Sequence, residues 1–261
     1  MRIALPLALT AVAALTPLLV GCPSPSLYTT PRTLDPGALQ LQLSIEGFGA
    51  VFQQTTQTAN ANGTTTSQRA TVSMLTPTPP TVGIRYGVAD GFEVGARVAD
   101  FSTLAGDAKF RLLKGTIDLA VDPGMQVIDL AGGITTATGG VFYFNLPVLL
   151  GINLSEALSL VWSPGVVYCA ATQNLDDSTY HTQAAFVSSG LLARLGLGLN
   201  IRTSPTQSMQ PEITVMKSFQ GDESLMYFFG FGYIYGSQPD YSDLAARPPA
   251  AVPVQDVKQG P

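Results

Sequence analysis

The single histidine of the chain, His181, lies among hydroxyl and carboxyl side chains in the sequence NLDDSTYHTQ (174–183). Asp176, Asp177 and Ser178 precede it closely. Serine, histidine and an acid are the groups that perform acyl transfer and hydrolysis when a rigid scaffold holds them together. A short polar stretch of this composition is typical of a solvated loop. We therefore interpret 174–183 as a loop and keep His181 as the one candidate for catalysis.

Other patterns that would indicate chemistry are incomplete. The glycine-rich stretch GGITTATGG (132–140) lacks the lysine of a phosphate-binding loop. Cys22 and Cys169 have no histidine at metal-ligand spacing. The sequence therefore predicts neither a metal site nor a cofactor. A net charge of −5 without a basic run argues against nucleic acid as a partner.

Charged residues are scarce for a chain of this size. They make up 12% of the 261 residues, while hydrophobic residues make up 46%. A soluble domain has about a quarter of its residues charged, because its surface must stay dispersed in water. Much of the surface of this protein is therefore expected to face something other than water.

The first residues have the layout of a secretory signal peptide. Arg2 is followed by an apolar stretch that ends in Leu19-Val20-Gly21-Cys22. These last four residues resemble the lipobox of bacterial lipoproteins. The resemblance implies that 1–21 is removed and that Cys22 carries the lipid, a firm anchor at ~0.8 kcal/mol per buried CH₂. It also implies the outer membrane of a Gram-negative cell, because residue 23 is not aspartate.

The residues between the cysteine and residue 38 are rich in proline, serine and threonine, which predicts a flexible tether over 22–38. Alternating apolar and polar residues then predict a strand over 39–48. The polar stretch 53–71 has the composition of a mobile loop. The remaining strands are predicted within 81–99, 107–122, 141–152, 158–168, 184–200, 211–219 and 225–235.

These strands number about ten, within a range of 8–12, and short connections alternate with long ones. This layout predicts an all-β fold, an antiparallel up-and-down transmembrane β-barrel over 39–235 with short periplasmic turns and longer outer loops. Gly230 to Tyr235 resembles the C-terminal insertion signal of outer-membrane barrels. The tail 236–261 is expected to be disordered and periplasmic, so both chain termini are placed in the periplasm.

The hairpin IRYGVADGFEVGARV (84–98) indicates which face of the sheet points inward. Its apolar side chains, such as Ile84, Tyr86 and Val94, are predicted to face lipid, and its charged ones the lumen. Gly91 is predicted to take the left-handed conformation that the turn requires, with Val88 opposite Phe92.

The same phase places many charged side chains in the lumen. In the hairpin around Lys114, Arg111 is predicted to lie opposite Asp118, with Lys109 diagonal to Asp118 and Asp122. Near balance of charge suits a closed interior, and a barrel of this size is narrow once side chains fill it. We therefore predict a plugged or narrow lumen. The predicted lumen network comprises Glu46, Arg85, Glu93, Arg97, Lys109, Arg111, Asp118, Asp122, Arg194 and Glu212.

Three functions remain open at this point. The first is a structural or interaction component of the envelope, bound to outer-membrane lipid and contacting other envelope proteins through loops 49–80, 123–140 and 169–183 or the tail. The second is an outer-membrane enzyme that modifies lipid with His181. The third is a soluble periplasmic lipoprotein, a β-barrel or sandwich that binds an apolar ligand inside.

Overall fold

The computed structural model describes residues 24–59, 65–99, 103–129, 140–171, 190–219 and 225–244. Within these ranges most residues lie in β-strands, and there is one 3-10 turn at Ser242–Leu244. In the described ranges there is no helix with the length and apolar character needed to cross a membrane. The strands are β1 Leu39–Ala59, β2 Thr65–Pro77, β3 Thr81–Ala89, β4 Phe92–Ala99, β5 Thr103–Leu113, β6 Ile117–Val121, β7 Gly124–Asp129, β8 Gly140–Ser155, β9 Leu158–Ala171, β10 Gly190–Ser204, β11 Gln207–Ser218 and β12 Leu225–Gly236.

The strands form one closed antiparallel barrel. All neighbouring strands of the sheet are antiparallel, and β1 pairs with β12 to close the sheet, with Leu41 opposite Tyr235. Two pairs of segments are single strands interrupted by proline: β2 and β3 both pair with β1, and β6 and β7 both pair with β8. Proline has no N–H to donate to a ladder, which accounts for the interruptions at 78–80 and 122–123. The barrel therefore has ten strands, as predicted.

The barrel has two distinct ends. At one end, which we call the turn mouth, short turns join β3 to β4, β5 to β6, β8 to β9 and β10 to β11, and β1 begins beside the end of β12. At the other end, the loop mouth, β7 is joined to β8 through 130–139 and β9 to β10 through 172–189.

The hairpin of β3 and β4 has nearly the predicted register. Ile84 faces Ala96 and Tyr86 faces Val94, while Gly91 has a φ of 77°. Only the position next to the turn differs: a bulge places Ala89 opposite Phe92, in place of the predicted Val88. The apolar side chains point outward and the charged ones inward, as the phase of the hairpin predicted.

The prediction of a mobile loop over 53–71 is wrong for most of that stretch. β1 continues to Ala59, β2 starts at Thr65, and the two pair along this whole length. The stretch is rich in threonine, a β-branched residue that favours extended backbone. Backbone hydrogen bonding thus extends the sheet through a segment whose side chains are almost entirely polar.

Candidate functional site

The lumen contains a segment of the chain itself. Residues 24–34, which we call the lumen segment, are all buried although they belong to no strand. Tyr28 is 1% exposed and Arg32 is fully buried. The prediction of a flexible tether over 22–38 is therefore wrong for this stretch. Its mostly small residues fit a narrow lumen, and charged groups of the barrel wall bind its backbone.

The order of these contacts shows that the segment runs along the lumen. Leu34 donates its N–H to Glu93 Oε2 at 2.7 Å, and Glu93 lies on β4 beside the turn mouth. Tyr28 donates its N–H to Glu212 at 2.9 Å, farther along the barrel. Ser24 donates its N–H to Gln126 Oε1 at 3.3 Å, near the end of β7 at the loop mouth. The described chain therefore begins inside the lumen, on the side of the loop mouth.

Cationic side chains of the wall bind the carbonyl groups of the segment. Arg194 Nη2 donates to Pro25 O at 2.8 Å, Arg97 to Ser26 O at 2.5 Å, and Lys109 to Thr30 O at 2.7 Å. A buried extended backbone needs partners for both its N–H and its C=O groups. Carboxylates and cations on the wall supply them, and hydrogen bonds to charged groups are stronger than neutral ones.

A second set of contacts connects charges on the wall itself. Arg85 Nε lies 2.6 Å from Glu93 Oε1, and Lys109 Nζ lies 2.7 Å from the same oxygen. Arg85 Nη2 also lies 2.5 Å from Asp107 and 3.6 Å from Asp122. These five side chains are at most 3% exposed, so each depends on the others for compensation of its charge.

The structure places nearly all of the residues of the predicted lumen network inside the barrel. Arg111 lies near the turn mouth with a side chain that is 16% exposed. The others are buried: Glu46, Arg85, Glu93, Arg97, Lys109, Asp118, Asp122, Arg194 and Glu212.

The predicted pairs around Lys114 are not those observed. The turn after β5 is longer than the four residues assumed, with Leu113 opposite Leu119, so Arg111 lies opposite Ala120 and its guanidinium lies 2.6 Å from the exposed Asp90. Asp118 is bound instead by Arg32, with Nε at 2.7 Å from Oδ2. The prediction missed Arg32 because it lies in the supposed tether. The signal was present: it is the only charged residue between Cys22 and Asp35.

The first residues after β12 close the turn mouth. Arg32 Cζ and Arg202 Cζ lie 4.3 Å and 3.5 Å from the centre of the Tyr241 ring, and Tyr241 is 6% exposed. Asp243 Oδ1 lies 2.5 Å from Arg32, and Asp240 Oδ2 lies 2.9 Å from Lys114. We call residues 240–243 the clasp. The predicted disorder of 236–261 is therefore wrong for this stretch, and 245–261 lies outside the described residues.

The clasp is expected to loosen in acid. The hydrogen bond from Arg32 lowers the pKa of Asp243, and the backbone N–H of Ser242 together with Lys114 lowers that of Asp240. A lowered pKa in the folded state stabilises the clasp above the ordinary carboxyl pKa, and this contribution is lost as the pH falls below about 4. Hydrogen exchange over 240–244 should show lower protection factors at pH 3 than at pH 7.

Asp243→Asn is the matched variant for this prediction. It should lower the protection of the clasp at pH 7 and reduce the further loss at pH 3, since only Asp240 then titrates. Protection factors in the wild-type protein that stay constant from pH 7 to pH 3 would contradict the role assigned to these carboxylates.

The half of the lumen next to the loop mouth is apolar. The sequence had predicted charged side chains throughout the interior. The signal was again present, because Phe48 and Phe228 lie on the same phase of their strands as Glu46 and Gly230. Their rings pack with centroids 5.0 Å apart. The apolar layer comprises Phe48, Ala50, Ile128, Val141, Tyr143, Val167, Cys169, Leu192, Met216, Met226 and Phe228.

Two of the predicted sites cannot be placed. Cys22, the expected site of lipid attachment, and His181, the candidate for catalysis, both lie outside the described residues. Within the described ranges, no group of histidine, cysteine, aspartate and glutamate side chains could hold a metal ion. In the described interior, charged side chains of the wall hold a segment of the chain along the lumen.

Comparison with known proteins finds similar folds among solved structures only. No family model and no curated protein matches the chain. Among solved structures, it is similar to the translocator domain of the autotransporter NalP from Neisseria meningitidis, at 14% identity over 88% of this chain and 95% of that one, with a TM-score of 0.42. It is also similar to the N-terminal β-barrel domain of Pseudomonas aeruginosa OprF, at 13% identity over 74% and 97%, with a TM-score of 0.30.

Proposed function

We propose that this protein is a lipidated outer-membrane β-barrel whose lumen is closed by its own amino-terminal segment. It serves as a structural or interaction component of the envelope and not as a channel. The observation that carries this proposal is the burial of residues 24–34 in the lumen, where charged groups of the wall bind both their N–H and their C=O groups.

The outer surface of the barrel supports a membrane location. Large apolar side chains are exposed on nearly every strand, among them Leu41 at 47%, Leu104 at 59% and Leu197 at 47%. Soluble monomers rarely expose a continuous apolar surface of this extent. Outer-membrane barrels carry such an apolar band facing lipid. The hypothesis of a soluble barrel or sandwich does not fit this surface.

The proposed lipid anchor and partners are supported by the sequence. The lipobox-like residues ending at Cys22 support lipidation, and the outward apolar surface supports contact with outer-membrane lipid. We propose that other envelope proteins bind the connections at the loop mouth or residues 245–261, as the sequence predicts. The enzyme hypothesis centred on His181 stays a prediction, because no described residue bears on it.

The test of the closed lumen is conductance. The purified, heat-modifiable full-length protein, reconstituted into a planar lipid bilayer, is expected to give no steady current. A wide porin of known conductance serves as the positive control. A large, stable current from the wild-type protein would contradict the proposal. The membrane location is tested separately: the protein should leave the membrane fraction only when detergent is added. Release of the unlipidated chain as a soluble monomer would contradict the membrane location.

A further inference from the structure

We propose that the amino terminus leaves the barrel through the loop mouth, so that a lipid on Cys22 anchors the protein at the cell surface. The usual arrangement would place that lipid on the periplasmic side. The position of the lipid depends on the proposed lipidation of Cys22. The path of the chain through the barrel can be tested in an unlipidated variant.

The first step concerns distance. Gln126, the partner of Ser24, lies nine residues beyond Ile117 at the turn mouth, or about 30 Å of strand at ~3.3 Å per residue. A strand tilt of about 40° still leaves more than ~20 Å along the barrel axis. Cys22 is two residues from Ser24, a reach of at most about 7 Å. This reach is shorter than the distance from Ser24 to the turn mouth, so the described path favours an exit at the loop mouth.

The second step concerns the fit between wall and segment. Tyr28 donates its hydroxyl to Glu46 at 2.8 Å. Two glycines of β12 make room for its side chain: a Cβ on Gly232 would lie 2.7 Å from Tyr28 Cβ, and one on Gly230 would collide with the Tyr28 hydroxyl. The wall is thus shaped around the segment at mid-lumen. These are the glycines of the C-terminal strand.

The third step concerns orientation. In outer-membrane barrels the short turns face the periplasm and the long loops face outward. Here the turn mouth also holds the clasp, where Arg32 binds Asp243. In this orientation the clasp lies at the periplasmic end, and the lumen segment runs from Leu34 near that end toward Ser24 on the side of the cell surface.

The experiment places epitope tags at the two ends of the chain. In one variant, residues 1–22 are replaced by a cleavable, non-lipidating leader followed by a short tag before Pro23. In the matched variant, the same tag follows Pro261. Antibody labelling of intact cells should detect the first tag, and labelling of the second should require permeabilised cells. Heat-modifiable migration confirms that each variant has folded.

Three outcomes would overturn the inference: an amino-terminal tag detected only after permeabilisation, both tags detected on intact cells, or only the carboxyl-terminal tag detected there. Metabolic labelling with an alkyne fatty acid, compared between wild type and Cys22→Ser, tests lipidation separately. Loss of lipid label with a surface-exposed amino-terminal tag would refute the anchor but keep the path of the chain.

A cross-link keeps the inference testable if the tag disturbs assembly. In a Cys169→Ala background, Tyr28→Cys with Gly232→Cys should form a disulfide after a small shift, because the two Cβ positions are slightly closer than the ~3.5–4.5 Å of a disulfide. Each single substitution is the control. A folded double variant that stays reduced under oxidising conditions would contradict the path through the lumen.

Discussion

Deletion of residues 24–34 is expected to convert a silent barrel into a conducting one. The purified deletion variant should give small, cation-preferring current steps in a planar bilayer, where the wild-type protein gives none. Its unfolding on an unboiled gel should also occur at a lower temperature, by at least about 10 °C, since buried charges of the wall lose their partners.

The preference for cations follows from the charges that remain. Arg32 leaves with the segment, and Asp118 loses its cation. Buried acidic side chains of the wall then outnumber the buried basic ones. The acidic set is Glu46, Glu93, Asp107, Asp118, Asp122 and Glu212, and the basic set is Arg85, Arg97, Lys109 and Arg194. Rings of carboxylates favour cations in a pore.

The apolar layer at the loop mouth is expected to keep this current small, because apolar constrictions impede ions. Adding Phe228→Ala to the deletion should therefore increase the conductance several-fold. The same substitution in the full-length protein is the control and should leave it silent, because the lumen segment still fills the lumen. A folded deletion variant as silent as the wild type, with and without Phe228→Ala, would contradict the assignment of the segment as the plug.

The barrel could be predicted from the sequence because its periodicity is local. Ile84, Tyr86 and Val94 alternate with Arg85 and Glu93 within one hairpin, and the scarcity of charge indicates which set faces lipid. The count of ten strands followed from turn spacing. Even the prolines that divide two of the strands leave this count unchanged.

The lumen segment could not be predicted in the same way, because nothing periodic marks it. Its conformation depends on groups far away in the chain, such as Glu93 for Leu34 and Glu212 for Tyr28. Read alone, its proline and serine content is that of a linker. A buried path becomes favourable only when the closed barrel supplies donors and acceptors along the entire length of the segment.

The paired charges show a related limit. The sequence placed Arg111 opposite Asp118 by assuming a four-residue loop, whereas the observed hairpin has a longer turn and an irregularity in β5 that place Arg111 opposite Ala120. Register near a turn depends on backbone details that the alternation of side chains does not encode. The inward phase of a residue was therefore more predictable than the identity of its partner.

Arg85→Met is expected to destabilise the barrel by about 3–5 kcal/mol, the usual cost of leaving a buried charge without its partner. Arg85 is 2% exposed and contacts Glu93, Asp107 and Asp122. Without it, Glu93 keeps its contact with Lys109, while Asp107 and Asp122 lose the cation that contacts them. Methionine retains much of the side-chain volume of arginine, so the loss of stability comes mainly from the missing charge and less from packing. The measurement is urea unfolding of the purified protein in detergent micelles or lipid vesicles.

Arg111→Met is the matched control, because it removes the same charge from the same half of the barrel. Its partner Asp90 is 83% exposed, so water compensates the carboxylate and the expected cost is about 0–1 kcal/mol. The contrast between the two variants isolates the effect of burial. Equal losses of unfolding free energy in both would mean that the buried cluster on β3, β4 and β5 does not hold the wall together through its charges. A further variant, Arg85→Met with Asp107→Asn, should recover part of the loss, because it removes one of the carboxylates left uncompensated.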